Sequence, residues 1–213
     1  VQEISTDEHY ILNGEKYRVN FEYMGQNINT ISVDCGKFVN VLKRGSVRGL
    51  KLNESDEPLE NAVFGLFAAD SDTAILTAKS DEKSCFSFEE VPFGEYEIRE
   101  IEAPTGYVLS DEKFKIVIAE DGEIVEIIAE NKPIKGSIEI TKTDISDGRL
   151  IPDCGIEILD SDGNVIFQGR TDENGVVRFD NLRYGDYCYR EFDAPNGYLI
   201  DENAYPFSIK ENG

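Results

Sequence analysis

The stretch Gly94-Glu-Tyr-Glu-Ile-Arg-Glu-Ile-Glu-Ala-Pro-Thr-Gly-Tyr107 returns 91 residues downstream (185 − 94) as Gly185-Asp-Tyr-Cys-Tyr-Arg-Glu-Phe-Asp-Ala-Pro-Asn-Gly-Tyr198. In each copy, aromatic or aliphatic side chains alternate with polar ones, which is typical of a β-strand with one buried face. The buried face of each copy ends in a glutamate, Glu100 or Glu191. Because a buried carboxylate is costly without a partner, we expect the rest of the chain to supply one.

An offset of 91 residues also relates landmarks elsewhere, for example Gly45-Ser-Val with Gly136-Ser-Ile. A period of this length is too long for a solenoid unit and indicates a tandem repeat of whole domains. We interpret residues 45–135, the first repeat, as a complete domain. Residues 136–213, the second repeat, are interpreted as a domain that lacks its last strand, because no counterpart of Asn131 is found there.

Residues 1–44, the head segment, resemble the end of a further copy. The motif glutamate recurs as Glu3, at an offset of 97 residues (100 − 3), and the closing asparagine recurs as Asn40, at an offset of 91 (131 − 40). The difference, 97 − 91 = 6 residues, is expected to lengthen a hairpin within 21–40. We therefore interpret the head segment as the C-terminal strands of a preceding domain of the same type.

Seven short segments of the first repeat combine alternating apolar residues with turn signals such as Asp121-Gly122, which is typical of strands and hairpins. No segment shows a sustained period of 3.6 residues, so no helix is predicted. Seven short strands per repeat, with frequent turns, indicate an all-β fold of tandem immunoglobulin-like β-sandwich domains. The predicted strands of the first repeat span 45–52, 61–68, 74–78, 85–89, 95–102, 113–119 and 123–130.

The composition excludes several classes of protein. The formal net charge is −22, so we expect no nucleic-acid partner. No apolar run approaches the roughly 18 residues of a membrane-spanning helix, so no membrane insertion is predicted for this segment. The four cysteines form no Cys-x-x-Cys pair, and we expect four free thiols, no metal site and no cofactor.

The chain offers no enzyme site of the hydrolase type. Its single histidine, His9, has no nucleophile beside it in the sequence. A Ser-His-Asp or Cys-His arrangement is therefore excluded within this chain, and we predict that the protein is not an enzyme.

Three predicted strands of the first repeat end their buried rows in one polar residue each, namely Lys51, Glu100 and Asn131. The second repeat retains two of the three, Lys142 and Glu191. Two structural interpretations stay open at this point. The residues form a buried ion pair with a hydrogen-bonded asparagine, which is weak evidence for stability, or they are solvated because the strand phasing differs.

A chemical interpretation uses the same burial. A lysine in an apolar pocket has a lowered pKa and becomes a neutral nucleophile, whereas a buried glutamate has a raised pKa and carries a proton. Attack of Lys51 on the carboxamide of Asn131, with Glu100 shuttling protons, expels ammonia and leaves an amide bond. The reaction occurs once per chain, and positioning does most of the catalysis.

These residues resemble a known family. Gly-Ser-Ile-Glu-Ile-Thr-Lys142-Thr-Asp, the motif Tyr-x-x-x-Glu-x-x-Ala-Pro-x-Gly-Tyr, and Asn131 before Pro133 are similar to the Cna B-type (SpaA-like) domains of Gram-positive surface proteins and pilins. The resemblance covers nearly the whole chain. It implies an inverse immunoglobulin-like, transthyretin- or prealbumin-like sandwich that forms spontaneous Lys–Asn isopeptide bonds, with the motif glutamate as catalyst.

The resemblance assigns roles to the candidate residues. It implies a structural stalk module of an adhesin or pilin on the cell wall-anchored surface of a Gram-positive bacterium, with other repeats of the same protein as partners. The implied catalysts are Glu100, Glu191 and Glu3, and the implied cross-linking residues are Lys51, Asn131, Lys142 and Asn40. Only the first repeat holds a complete set.

An adhesin domain that binds a host extracellular-matrix or epithelial ligand without cross-links is the alternative. Such a module needs an exposed aromatic or apolar patch. Aromatic residues are concentrated in the head segment, where we expect them to form the core of the truncated domain. They are Tyr10, Tyr17, Phe21, Tyr23 and Phe38.

Overall fold

The computed structural model describes residues 1–213 and consists of strands and loops, which confirms the predicted all-β class. The head segment contains β1 (Tyr10–Ile11) and β2 (Val41–Leu42). The first repeat contains β3 (Arg44–Asn53), β4 (Val63–Ala68), β5 (Ala74–Lys79), β6 (Cys85–Pro92), β7 (Gly94–Glu102), β8 (Lys113–Ile118) and β9 (Ile124–Asn131). The second repeat contains β10 (Lys135–Thr141), β11 (Gly155–Leu159), β12 (Val165–Arg170), β13 (Val176–Arg183), β14 (Gly185–Asp193) and β15 (Tyr205–Ile209).

All seven strands predicted for the first repeat are formed. The largest difference in their bounds is at β6, which continues to Pro92. They build two sheets, ordered β6-β3-β9 and β5-β4-β7-β8, in which only β3 and β9 pair in parallel. The apolar residues of the alternating rows meet between the sheets and form a sandwich core of 11 buried residues.

Gly49 interrupts the buried row of β3, and its cross-strand neighbour fills the space. Gly49 lies directly opposite Phe86 of β6. A Cβ atom at Gly49 would lie 2.1 Å from the Phe86 ring, and that ring stacks on Phe64 with centroids 3.9 Å apart. The same pair of positions in the second repeat holds Ile140 opposite Val177, so the two repeats fill equivalent volume with different residues.

The second repeat forms a similar sandwich with a separate core, but its first sheet has two strands where that of the first repeat has three. Its sheets are ordered β10-β13 and β12-β11-β14-β15. Eight buried apolar residues lie between them, among them Ile140, Cys154 and Ile156. Alternation accounts for the buried residues of β13, whereas all five residues of β11 are buried and β12 is almost entirely exposed.

The head segment contains little regular structure. β1 and β2 pair with each other, and the expected longer hairpin within 21–40 is not formed as strands. The expectation that its aromatic residues form a core is wrong for several of them: the exposed fraction is 66% for Phe21 and 78% for Tyr23. The physical reason is that no second sheet faces this segment. Tyr17 and Phe38 do pack edge to face, with centroids 4.7 Å apart.

All four cysteines are free thiols. Cys154 belongs to the core of the second repeat. Cys188 lies on β14 between Tyr187 and Tyr189, which pack against that core, so alternation places it on the opposite face, as the sequence predicted. No helical segment has the length and apolarity that spanning a bilayer requires.

Candidate functional site

The polar ends of three buried rows meet at one end of the first sandwich. Lys51 lies on β3 and Asn131 on the neighbouring β9, and because these strands run in parallel their C-terminal ends reach the same edge. Glu100 lies on β7 in the facing sheet. The exposed fractions are 0% for Lys51, 6% for Glu100 and 2% for Asn131. The interpretation in which these residues are solvated is therefore wrong.

Glu100 lies between the other two side chains. Its Oε1 is 3.6 Å from the Nζ of Lys51. Its Oε2 accepts a hydrogen bond of 2.7 Å from the Nδ2 of Asn131 and one of 2.8 Å from the backbone N–H of Ser110. The Asn131 Nδ2 also donates to the backbone oxygen of Val108 at 2.6 Å. These contacts hold the carboxamide in one orientation.

Three buried atoms of the site lack a hydrogen-bond partner. They are the Nζ of Lys51, Oε1 of Glu100 and Oδ1 of Asn131. Buried polar atoms are nearly always hydrogen-bonded, and leaving one unpaired costs about 1–3 kcal/mol. The site therefore holds a buried ion pair and a carboxamide whose hydrogen-bonding capacity is not fully used.

Burial lowers the pKa of Lys51, and the negative charge of Glu100 opposes this shift only in part. The Phe64 ring lies 5.9 Å from the Nζ and forms one wall of the apolar pocket. A lowered pKa makes the neutral amine, the nucleophilic form, easier to reach. The pocket can thus supply a nucleophile, a proton carrier and an electrophilic carboxamide.

The second repeat brings together Lys142 and Glu191. Their side chains form a short ion pair, with 28% of the lysine and 7% of the glutamate side chain exposed. Burial lowers the pKa of Lys142, but the hydrogen bond and charge of Glu191 outweigh it, so the pKa is raised. No asparagine side chain is hydrogen-bonded to this pair. The pKa of its lysine is thus shifted in the opposite direction to that of Lys51.

Cys154 is a neighbour of this pair that the sequence analysis did not assign to it. Burial, together with the charge of Glu191, raises the pKa of its thiol to about 11. The equivalent residue of the first repeat is Ala62: the backbone N–H of Cys154 donates to Thr171 Oγ1, as that of Ala62 donates to Ser80 Oγ. The lysine site of the second repeat therefore has Cys154 at the position that Ala62 occupies in the first repeat.

The head segment brings together Glu3 and Asn40 without a lysine. The Asn40 Nδ2 donates to Glu3 Oε1 at 2.8 Å, and the backbone N–H of Asn13 donates to Oε2 at 2.7 Å. These hydrogen bonds lower the pKa of Glu3. The pair reproduces the contacts of Glu100 with Asn131 and Ser110.

A backbone N–H donates to the motif glutamate in all three sites, and this donor was not predicted from the sequence. Each motif glutamate accepts a hydrogen bond from the backbone N–H ten residues later, at Asn13, Ser110 and Asp201. The residue types differ because the donor is the main chain. Only the constant spacing was visible in the sequence. No group of three or more His, Cys, Asp or Glu residues is arranged to hold a metal ion.

The chain consists of tandem two-sheet β-sandwiches, each with a paired lysine and glutamate at one end. The family described as SpaA, prealbumin-like fold domain, matches residues 45–133 and 136–213. The chain belongs to this family, as its motifs indicated. The family description names a fold and no reaction, in agreement with the prediction that this chain is not an enzyme.

Individual relatives are similar to parts of larger proteins. The solved structure of the Bacillus anthracis TIE protein has a TM-score of 0.75 and 38% identity, covering 82% of this chain and 33% of that one. Serine-aspartate repeat-containing protein D of Staphylococcus aureus is 27% identical over 169 residues, which is 68% of this chain and 12% of the relative. Colossin-A of Dictyostelium discoideum is 30% identical over 129 residues, which is 53% of this chain and 1% of the relative. The chain thus spans a third or less of each relative.

Proposed function

We propose that this chain is a stalk module of a Gram-positive surface adhesin or pilin whose first repeat closes an autocatalytic isopeptide bond between Lys51 and Asn131. Membership in a family of structural modules supports the first part. The single observation that carries the second is the set of three unpaired buried atoms on Lys51, Glu100 and Asn131.

The proposed reaction begins with Lys51 as a neutral amine. Its Nζ attacks the Cγ of Asn131, and Glu100 takes the proton that the amine loses and passes it to the Nδ2 of Asn131. The carbon–nitrogen bond of the carboxamide breaks and ammonia leaves. One amine and one carboxamide give one secondary amide and one ammonia, so atoms balance without any co-reactant. The hydrogen bond of 2.7 Å from Nδ2 to Glu100 supports this proton route.

The intact mass of the denatured protein tests the proposal. The folded chain should weigh less than its sequence by one ammonia, and a tryptic digest should contain one branched peptide joining Lys51 to Asn131. Glu100→Gln keeps the size of the side chain but removes its basicity, so this variant should keep its full sequence mass. The matched control is Glu191→Gln in the second repeat, which should still lose ammonia. A full sequence mass for the folded, unsubstituted chain contradicts the proposal.

The other candidate residues take incomplete roles in this proposal. Lys142 with Glu191 supply an amine and a catalyst, and Asn40 with Glu3 supply a carboxamide and a catalyst. The contact between Asn40 and Glu3 supports the interpretation of residues 1–44 as the end of a like domain. We place the protein on the cell-wall surface, with other repeats of the same protein as its partners.

A host-binding adhesin module is a second candidate, which the exposed head segment favours. Phe21, Tyr23 and Met24 lie close together in the sequence and are each at least 66% exposed. Binding of the whole chain to immobilised extracellular-matrix proteins tests it. Binding that is lost on substituting Phe21 and Tyr23 by serine supports this function, and the absence of binding to a broad panel contradicts it.

A further inference from the structure

The linker between the two repeats is held by backbone hydrogen bonds on both sides. The N–H of Ile134 donates to the oxygen of Gly106 at 2.8 Å, and the N–H of Tyr184 donates to the oxygen of Ile134 at 3.1 Å. The N–H of Val108 donates to the oxygen of Lys132 at 2.9 Å. The linker therefore lies as a short strand between a loop of the first repeat and a turn of the second.

The same ladder occurs where the head segment meets the first repeat. The N–H of Lys43 donates to the oxygen of His9 at 2.8 Å, and the N–H of Phe93 donates to the oxygen of Lys43 at 2.9 Å. The repeat offsets relate the two ladders residue by residue: 134 − 43 = 91 and 184 − 93 = 91 for the linker and turn, and 106 − 9 = 97 for the loop. The same hydrogen-bonded arrangement of loop, linker and turn therefore occurs at both joints.

At each joint, the aromatic residue of the turn, Tyr184 or Phe93, packs against the loop residue of the ladder. A Cβ atom at Gly106 would contact Tyr184 at 3.4 Å, and Gly106 has a φ of +87° that favours glycine. At the other joint, the ring of His9 packs edge to face on Phe93, with centroids 4.5 Å apart. Gly197, in the third copy of the motif, has nothing within 4 Å of an added Cβ. The contact is thus a property of the joint and not of the loop alone.

The loop is itself anchored to the buried site beneath it. We call residues 106–110 the clamp segment. Its Val108 oxygen accepts from Asn131, and its Ser110 N–H donates to Glu100, within the first repeat. Its Gly106 oxygen faces the linker. A loop that is fixed to a sandwich core on one side can hold a linker on its other side without moving freely.

We propose that the clamp segment is an interdomain docking surface that fixes the orientation of the following repeat, and that the partner it fits is a linker strand followed by an aromatic turn. The Gly106-Tyr107 end of the motif therefore serves the joint through its contacts with Ile134 and Pro133, whereas the motif glutamate serves the buried site. Glu54 and Lys135, whose charged atoms are 3.2 Å apart, add a contact across the same joint.

Amide-nitrogen NMR relaxation of the whole chain tests this proposal. The two repeats should tumble with one common rotational correlation time. Ile134→Pro removes the N–H that binds Gly106, and the matched control Ile134→Ala keeps it while shortening the side chain. We expect separate, shorter correlation times for the two repeats in Ile134→Pro and a common one in Ile134→Ala.

A second variant keeps the test valid if Ile134→Pro does not fold. Tyr184→Ala retains every backbone donor but removes the ring that packs on Gly106, and it should increase the relative motion of the repeats. Independent tumbling of the repeats in the unsubstituted chain overturns the proposal. So does common tumbling in both folded Ile134→Pro and Tyr184→Ala. The intact mass reports the isopeptide bond separately, so failure of one proposal is distinguishable from failure of the other.

Discussion

Lys51 is the residue on which the proposed chemistry depends, because a fully buried ammonium group without a hydrogen bond is costly. Lys142 shows the contrasting case within the same chain: it is partly exposed, pairs closely with Glu191, and has a raised pKa. The two lysines occupy equivalent strand positions, but burial lowers the pKa of Lys51 whereas the contact with Glu191 raises that of Lys142. This difference leads to a prediction about pH.

We expect the stability of an Asn131→Ala variant, which cannot form the bond, to rise with pH. The folded-state pKa of Lys51 lies below its ordinary value of 10.5. Between these two pKa values the unfolded chain binds more protons than the folded one, so the free energy of unfolding increases as pH rises. Urea unfolding from about pH 7 to pH 10 measures this. Adding Lys51→Met to the variant should remove the rise, and equal pH profiles for the two proteins would contradict the prediction.

The pairing of β3 with β6 shows how an element tolerates an unusual residue. Gly49 reads as a gap in the buried row, yet the ring of Phe86 occupies that volume and stacks on Phe64. The second repeat solves the same packing problem with Ile140 opposite Val177. The two solutions are expected to be exchangeable only as pairs.

Single exchanges at this pair should be destabilising and the double exchange much less so. Phe86→Val leaves a cavity that should cost roughly 2–4 kcal/mol. Gly49→Ile forces atoms into the Phe86 ring and should cost roughly 1–3 kcal/mol. The double variant restores the pair used by the second repeat, so its loss should be clearly smaller than the sum. Chemical denaturation of the four proteins gives the coupling free energy, and strictly additive losses would show that the pairs are not equivalent.

At the scale of the whole molecule, the proposed bond ties together the first and last strands of the first repeat. A cross-link from residue 51 to residue 131 closes a loop of 80 residues (131 − 51). By analogy with a disulfide, this removes roughly 4–5 kcal/mol of unfolded-state entropy. The proposed bond would keep β3 and β9, which are neighbours in one sheet of the first repeat, from separating.

Asn131→Ala should therefore destabilise the first repeat by about that amount and expose it to trypsin. This substitution leaves the Lys51–Glu100 ion pair in place, so it is a cleaner comparison than replacing the lysine. Guanidinium unfolding and limited proteolysis measure the effect, with Glu191→Gln as a control that should leave the first repeat unchanged. A midpoint equal to that of the unsubstituted chain would indicate that no bond had formed.

The sequence by itself determined the repeat, the strands of the first repeat, and the residues that end its buried rows. These features are local: alternation with a period of two assigns each side chain to a face, and turn residues bound each strand. The identity of Lys51, Glu100 and Asn131 as neighbours followed because all three end rows on the same side of one sandwich. The head segment was harder because its residues lack the regular alternation that strands require.

Only the tertiary structure decided how those residues meet and what else contacts them. The backbone oxygen of Val108, the N–H of Ser110 and the ladder at Ile134 have no residue-type signature, since every residue except proline carries the same main-chain groups. The filling of Gly49 by Phe86 and the place of Cys154 beside Lys142 depend on strand register across dozens of residues. Register and packing are set by the whole sandwich, so these contacts lay beyond the reach of local pattern.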